Sequence, residues 1–211
     1  MTRIIGEAGF ARLSALKALS FAVAGRAEAE AFVIAGGLKC LFPSLLGLGL
    51  PSTRTFHGAA AVRSEDEFAV ATLAALLEFL PQAPIGVSPA PKAGLERLRL
   101  LSKFLETGGE KVERLVDLQI DYGRAVAEAH EKDEETDDEN DEEDEEDGDE
   151  AEEQKRHARF TLSRVNYCLK TLCMEGKEGG GDVASLSVSR AVAESVKARL
   201  TELGVSLPPP L

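Results

Sequence analysis

A chain of 211 residues, 44% hydrophobic, 5% aromatic and without Trp, is long enough for one domain or a short repeat array, with a core of Leu, Val, Ala and Phe, a palette that suits helices. Its net charge of −13 is uneven: residues 131–153 hold eighteen of the 37 acidic residues against a single Lys132, which leaves the remainder mildly basic. Cys40, Cys168 and Cys173, odd in number and without CxxC spacing, read as buried thiols of a reducing compartment, and no apolar run reaches the roughly 20 residues of a membrane span.

Residues from about Glu7 to Ala24 read as a helix, with Leu13, Leu16, Leu19 and Val23 at three- and four-residue spacing and Gly25 as its stop. Arg3, Glu7 and Arg12 interrupt any secretory leader. A short helix over 27–35 ends at Gly36-Gly37. A third runs from Leu38 to about Leu46, with Pro43 in its first two turns. A long, a short and another helix at roughly forty-residue pitch is the arithmetic of armadillo or HEAT units.

Residues 47–63 read as a loop. Ser64-Glu65-Asp66-Glu67 has the form of a capping box that opens a helix. Phe68, Leu73, Leu76, Leu77 and Leu80 give its stripe, and Pro81 stops it. Four prolines between Pro81 and Pro91 make an irregular connector.

The stretch from Arg97 to Leu118 holds two amphipathic helices around Gly108-Gly109, glycines that can adopt the left-handed conformation of a helix end. Leu98, Leu101, Phe104 and Leu105 give the first stripe. Val112, Leu115, Val116, Ile120, Tyr122 and Val126 give the second. Glu110 lies four residues before Arg114, the favourable order for an ion pair.

The acidic tract from Glu131 to Glu153 has no large apolar residue to offset its ordering entropy, so it is expected to be disordered, its ends extending the flanking helices by a turn or so. A helix from Gln154 to Met174 follows, with a stripe of Phe160, Leu162, Val165, Leu169, Leu172 and Cys173. Asp182 can cap a last helix over 183–203, with Leu186, Val188, Val192, Val196, Leu200 and Leu203 apolar and Gly204 ending it. The predicted fold is all-α: an armadillo/HEAT-like α-solenoid over 1–130, the acidic insertion 131–153, C-terminal helices of the same array over 154–204, and a Pro-rich tail, 205–211.

Nothing in this pattern converges on catalysis, and no catalytic residue, cofactor or metal is expected. His57, His130 and His157 have no Cys, Asp or Glu at a helical metal-ligand spacing that stands out from the background, acids near His130 being plentiful because the tract is. Gly179-Gly180-Gly181 is not followed by Lys-Ser/Thr, so it is no P-loop. The acidic tract reads as a solvated loop, an interaction segment for basic partners, or a weak divalent-ion sponge. It would repel nucleic acid, and the basic remainder has no aromatic–basic platform for RNA, which argues against direct nucleic-acid binding.

The order of Leu13-Ser14-Ala15-Leu16-Lys17-Ala18-Leu19, Phe32-Val33, Gly37-Leu38-Lys39 and Leu41-Phe42-Pro43 resembles the C-terminal armadillo region of the beta-catenin-like protein 1 family. Arg97-x-Arg99-Leu100-Leu101-x-Lys103-Phe104, followed by Glu110-Lys111-Val112-Glu113-Arg114-Leu115, is similar to that family's pattern almost in full, and is more specific than a generic armadillo repeat. The likeness runs from about Leu13 to Ala129 and is weaker over 160–203. It implies a nuclear α-solenoid associated with the spliceosome that works by binding, contacting nineteen-complex subunits and basic, localisation-type segments of splicing proteins. The charged residues Lys103, Glu110, Lys111, Glu113, Arg114 and Asp117 are the candidate partner-binding set. The family's earlier repeats have no counterpart here, so an apolar edge near Ile4, Ile5 and Phe10 is expected as a self-association face. The acidic run is purer, and the Pro81–Pro91 connector longer, than the family's.

Overall fold

The computed structural model describes residues 10–48, 59–81, 94–135, 145–175 and 183–207, and among these the chain is helical with no strand. Helix α1 spans Phe10–Ala22, α2 Arg26–Ile34, α3 Leu38–Leu45, α4 Ala59–Phe79, α5 Leu95–Leu105, α6 Glu110–Glu135, α7 Glu145–Met174 and α8 Val183–Glu202. A 3-10 turn over Glu106–Gly109 joins α5 to α6.

The helices stack by threes. α1 packs on α4 and α4 on α7; α2 packs on α5 and α5 on α8; α3 packs on α6. Every third helix therefore occupies an equivalent place, the arrangement of an armadillo-type array in which each unit buries its apolar face on its neighbours. The layer α1–α4–α7 is parallel. Arg12 lies against Glu65 and Lys17 over Phe68 at one side of α4. On the other side His157 meets Glu67, and Glu175 is tied through Arg97 to the carbonyls that end α4. The pitch along the sequence is not constant, because the acidic tract is inserted between α6 and α7.

α4 is the central member, and its burial shows it. Ala69, Val70, Thr72, Leu73, Ala74, Leu76 and Leu77 are all buried, so the helix is covered well beyond one stripe. Thr72 is tolerated there because its hydroxyl donates to the Phe68 carbonyl at 2.8 Å. Leu16 of α1, Leu100 of α5, Leu115 of α6 and Leu169 of α7 join the same core cluster as Leu73 and Leu76. Full burial of one such leucine contributes about 1.5–3 kcal/mol.

Several helix ends follow the glycines. At Gly36 and Gly204, both at positive φ, the chain closes with paired reverse bonds: Gly37 N–H to Phe32 O with Gly36 N–H to Val33 O, and Val205 N–H to Leu200 O with Gly204 N–H to Thr201 O. Gly25 differs from expectation. α1 ends at Ala22, and Gly25, in extended backbone, stands at the N-cap of α2.

Other differences have local causes. α4 begins at Ala59, so Ser64 lies inside the helix and the expected capping box does not open it. Pro43 falls past the first turn of α3 and forfeits the bond to the Lys39 carbonyl; the helix ends two residues later, and Ser44 Oγ donates to the Cys40 carbonyl at 3.0 Å. Helix extends into the acidic tract from both sides, to Glu135 in α6 and from Glu145 in α7, further on the second side than the turn or so expected. The rest of the tract, the Pro-rich connector after Pro81, Asp182 and the apolar residues Ile4 and Ile5 lie outside the described residues.

Candidate functional site

The expected helix pair is present, but its two members pack mainly on other helices: α5 on α8, and α6 on α7. The turn between them is held by one threonine. Thr107 sits at φ 55°, ψ 38°, a left-handed conformation rare for a β-branched residue, followed by Gly108 at φ 71°. Its hydroxyl donates to Glu110 Oε1 at 2.6 Å and accepts from Lys111 Nζ at 2.9 Å. The Thr107 hydrogen bond is the main cause that lowers the Glu110 carboxyl pKa.

The six charged candidates divide by where their side chains go. Arg114 turns inward. Its Nη2 donates to both carboxylate oxygens of Asp66 at 2.8 and 3.0 Å, and its Nε to the Leu45 carbonyl at 3.1 Å, so it joins α6 to α4 and to the end of α3. The Glu110–Arg114 ion pair expected from their spacing does not form, since both are committed elsewhere. Burial pushes the Asp66 carboxyl up to about 6 against the pull of the Arg114 guanidinium.

Lys111 is also turned in, its side chain 6% exposed. Its ammonium lies 5.8 Å from the centre of the Phe42 ring, and that ring stands perpendicular to Phe104 at a centroid distance of 5.3 Å. Phe42 thus contacts both an aromatic ring and a cation, where α3 meets α5 and α6.

Lys103, Glu113 and Asp117 reach the surface. Lys103 Nζ donates to both oxygens of Glu106 at 2.8 and 3.0 Å. Glu113 Oε1 lies 4.0 Å from Arg199 Nη2 of α8, and Asp117 adds to the negative potential there. Arg199 Nη1 also donates to Glu202 at 2.9 Å. The structure therefore brings Glu113 and Asp117 together beside α8 and keeps Lys103 apart at the end of α5.

Sequence reasoning missed the inner charged set. Arg97 and Glu175 form a buried pair, and Arg97 Nη1 donates to the carbonyls of Leu77 and Leu80, both at 2.8 Å. Arg12 is buried as well, its Nη1 donating to the Leu48 carbonyl at 2.8 Å. No local signal marks these residues; Arg97 stood out only as part of the family pattern.

The remaining reactive types lie apart from one another. Cys168 is buried in the core, which pushes its thiol up to about 12, far from the thiolate needed for nucleophilic work. His157 Nδ1 lies 2.6 Å from Glu67 Oε2, as a link between α7 and α4. Among the described residues no group of three or more His, Cys, Asp or Glu is placed to hold a metal ion, and no helix is long and apolar enough to cross a membrane.

Comparison with known proteins agrees with this architecture. A family model described as catenin-beta-like, Arm-motif containing nuclear matches residues 1–201. Beta-catenin-like protein 1 of Rattus norvegicus is 34% identical over 138 residues, which cover 64% of this chain and 22% of the relative. The Bos taurus and Homo sapiens proteins of that name are each 33% identical over the same length. The chain spans about a fifth of the length of these curated relatives. With helices stacked by threes and the match running over nearly its whole length, the chain belongs to the catenin-beta-like, Arm-motif-containing nuclear family.

Proposed function

We propose that the chain is a non-catalytic protein-binding scaffold that works in the nucleus as an accessory of pre-mRNA splicing. The observation that carries this reading is the family match over residues 1–201, joined to a stack whose charged inner residues are spent on holding helices together. Recognition then falls to the exposed Glu113 and Asp117 and the half-buried Lys103, whose side chains reach the surface. The partners are splicing proteins, nineteen-complex subunits and basic, localisation-type segments among them. A tagged full-length chain incubated with nuclear extract is expected to co-purify with spliceosome subunits; recovery of cytosolic partners alone rejects the reading.

A second reading rests on the concentration of eighteen acidic residues in 131–153. In it the tract is the active part, an acidic chaperone-like module for basic nuclear proteins, and the helices support it. Replacing these acids by Asn and Gln separates the two. Loss of a basic partner at moderate salt supports the module; retention assigns recognition to the helical surface.

A further inference from the structure

The outer face of the α1–α4–α7 layer carries a furrow of about 370 Å³ that follows α4 from Glu67 to Glu78, roughly three turns and about 16 Å of helix. Its floor includes Ala71 and Ala75, one turn apart and small enough to let another backbone approach. Its walls are Phe21 from α1, 71% exposed, and Phe160 from α7, 42% exposed. Single exposed apolar residues are ordinary on a protein surface; here two phenylalanines flank one furrow and bring their apolar surface to the same place.

The charges along it are open. Glu67 is engaged by His157. Glu78 is exposed and has no ion pair among the described residues. Arg164 stacks on Phe160, 5.3 Å from the ring centre, and likewise has no carboxylate partner among them. A carboxylate and a guanidinium with no ion pair among the described residues, set along an apolar groove, complement a partner that carries the opposite two charges.

The main chain of that partner is constrained too. An extended segment laid against Phe21, Ala71, Ala75 and Phe160 would leave backbone N–H and C=O groups facing apolar side chains, at a cost for each. A helix satisfies its own backbone, and α1 and α7 already lie against α4 as helices. We propose that this furrow docks an amphipathic α-helix of a partner protein. Its apolar residues enter between Phe21 and Phe160, a Lys or Arg meets Glu78, and an acidic residue meets Arg164. The proposal supplies a surface for the scaffold reading above and rests on it. Co-purification tests that reading, and the titration below tests the furrow alone.

The experiment titrates the full chain into a fluorescently labelled, side-chain-stapled Leu-rich helical peptide of about four turns, with Lys and Glu on its polar edge, and reads anisotropy. Phe21→Asp and Phe160→Asp are each expected to weaken binding at least tenfold, and a peptide of the same composition with two central prolines is expected not to bind. Glu78→Lys weakens binding by several-fold, and a peptide with Glu in place of that Lys regains it. Because the three side chains are exposed, the variants should keep the parental melting temperature, and Glu78→Lys tests the furrow even if a phenylalanine variant unfolds. Equal affinity of the phenylalanine variants with unchanged melting, undiminished binding of the proline peptide, or no charge-swap recovery overturns the proposal.

Discussion

Arg97 and Glu175, 78 residues apart, form an ion pair whose side chains are 6% and 5% exposed. Arg97 Nε donates to Glu175 Oε1 at 3.0 Å and Nη2 to the same oxygen, while Nη1 takes the Leu77 and Leu80 carbonyls at the end of α4. One guanidinium thereby caps α4, opens α5 and holds the end of α7, three helices drawn from two repeat units and two layers. The planar fork of donors makes this possible; a lysine ammonium cannot reach all three acceptors at once.

Removing one partner of such a pair strands the other. Arg97→Ala and Glu175→Ala are each expected to lower the unfolding free energy by about 3–5 kcal/mol, a large share of the 5–15 kcal/mol a domain of this size holds. Arg97→Lys should recover only part of the loss. The double change Arg97→Met with Glu175→Leu should cost less than either single alanine, because no buried charge is left unpaired. Urea denaturation of the five proteins measures this, and a double variant as unstable as the sum of its singles contradicts the account.

The Asp66–Arg114 tie has a pH signature. Burial raises the Asp66 carboxyl from 3.8 to about 6, so the folded state binds this proton more tightly than the unfolded chain. Its contribution to stability is complete below the unfolded value near 3.8 and is lost as pH rises through about 6. The wild-type chain should therefore lose on the order of 2–3 kcal/mol through this group between pH 4 and pH 7. Asp66→Asn keeps an acceptor for Arg114 and removes the titration. From pH 4 to pH 7 the wild-type stability should fall relative to that of the Asn variant by this amount, the two being most alike at low pH, where Asp66 is protonated; parallel curves would exclude the assignment.

These two ties also show what a sequence can and cannot disclose. Helical periodicity located every described helix within a few residues, except at the start of α4 and where α6 and α7 run into the acidic tract, because apolar spacing and glycine placement are local properties. In α5 it is right only in part. Leu101 and Phe104 of the expected stripe are buried and Leu98 is half-buried, yet Leu105 is 37% exposed while Arg97 and Glu96 are buried. A cation inside a fold needs acceptors, and those of Arg97 lie 17, 20 and 78 residues away, beyond any window of periodicity. Phe160 errs the other way. It falls on the apolar stripe of α7 but faces the open furrow, because α1 and α7 stand on opposite sides of α4 and do not close over it. The charged candidates suffered likewise: Lys111 and Arg114 occupy polar positions of an amphipathic helix, and only the neighbouring α3 and α4 draw them inward.

Gly37 is a packing constraint that leaves no mark in hydropathy. A Cβ there would lie 2.4 Å from the Phe32 ring, and Phe32 is buried, so neither residue can yield. Gly37→Ala is expected to lower stability by about 1–3 kcal/mol through overpacking at the α2–α3 turn. The backbone at this position is ordinary right-handed helix, so strain in φ contributes nothing. Phe32→Leu combined with Gly37→Ala should be more stable than the sum of the two single changes predicts, since the smaller side chain vacates the space. Thermal melting of the three variants tests it; additive losses would place the clash elsewhere.

Lys111 and Lys103 were indistinguishable as partner-binding candidates, and stability separates them. Lys103 pairs with Glu106 at the surface, where such a pair contributes at most about 1 kcal/mol, so Lys103→Glu should leave the melting midpoint nearly unchanged. Lys111→Glu places a carboxylate against Phe42 and beside Glu110, removes the donor that holds Thr107 in its left-handed turn, and should cost about 2 kcal/mol or more. Lys111→Met, which keeps the stem packed and loses only the ammonium, should fall between. A binding defect in Lys111→Glu would then report a displaced α5–α6 turn. The same defect in Lys103→Glu, Glu113→Lys or Asp117→Lys, with melting unchanged, would report a contact with the partner itself. If Lys111→Glu melts like the parent, the lysine faces solvent and returns to the set of candidate contacts.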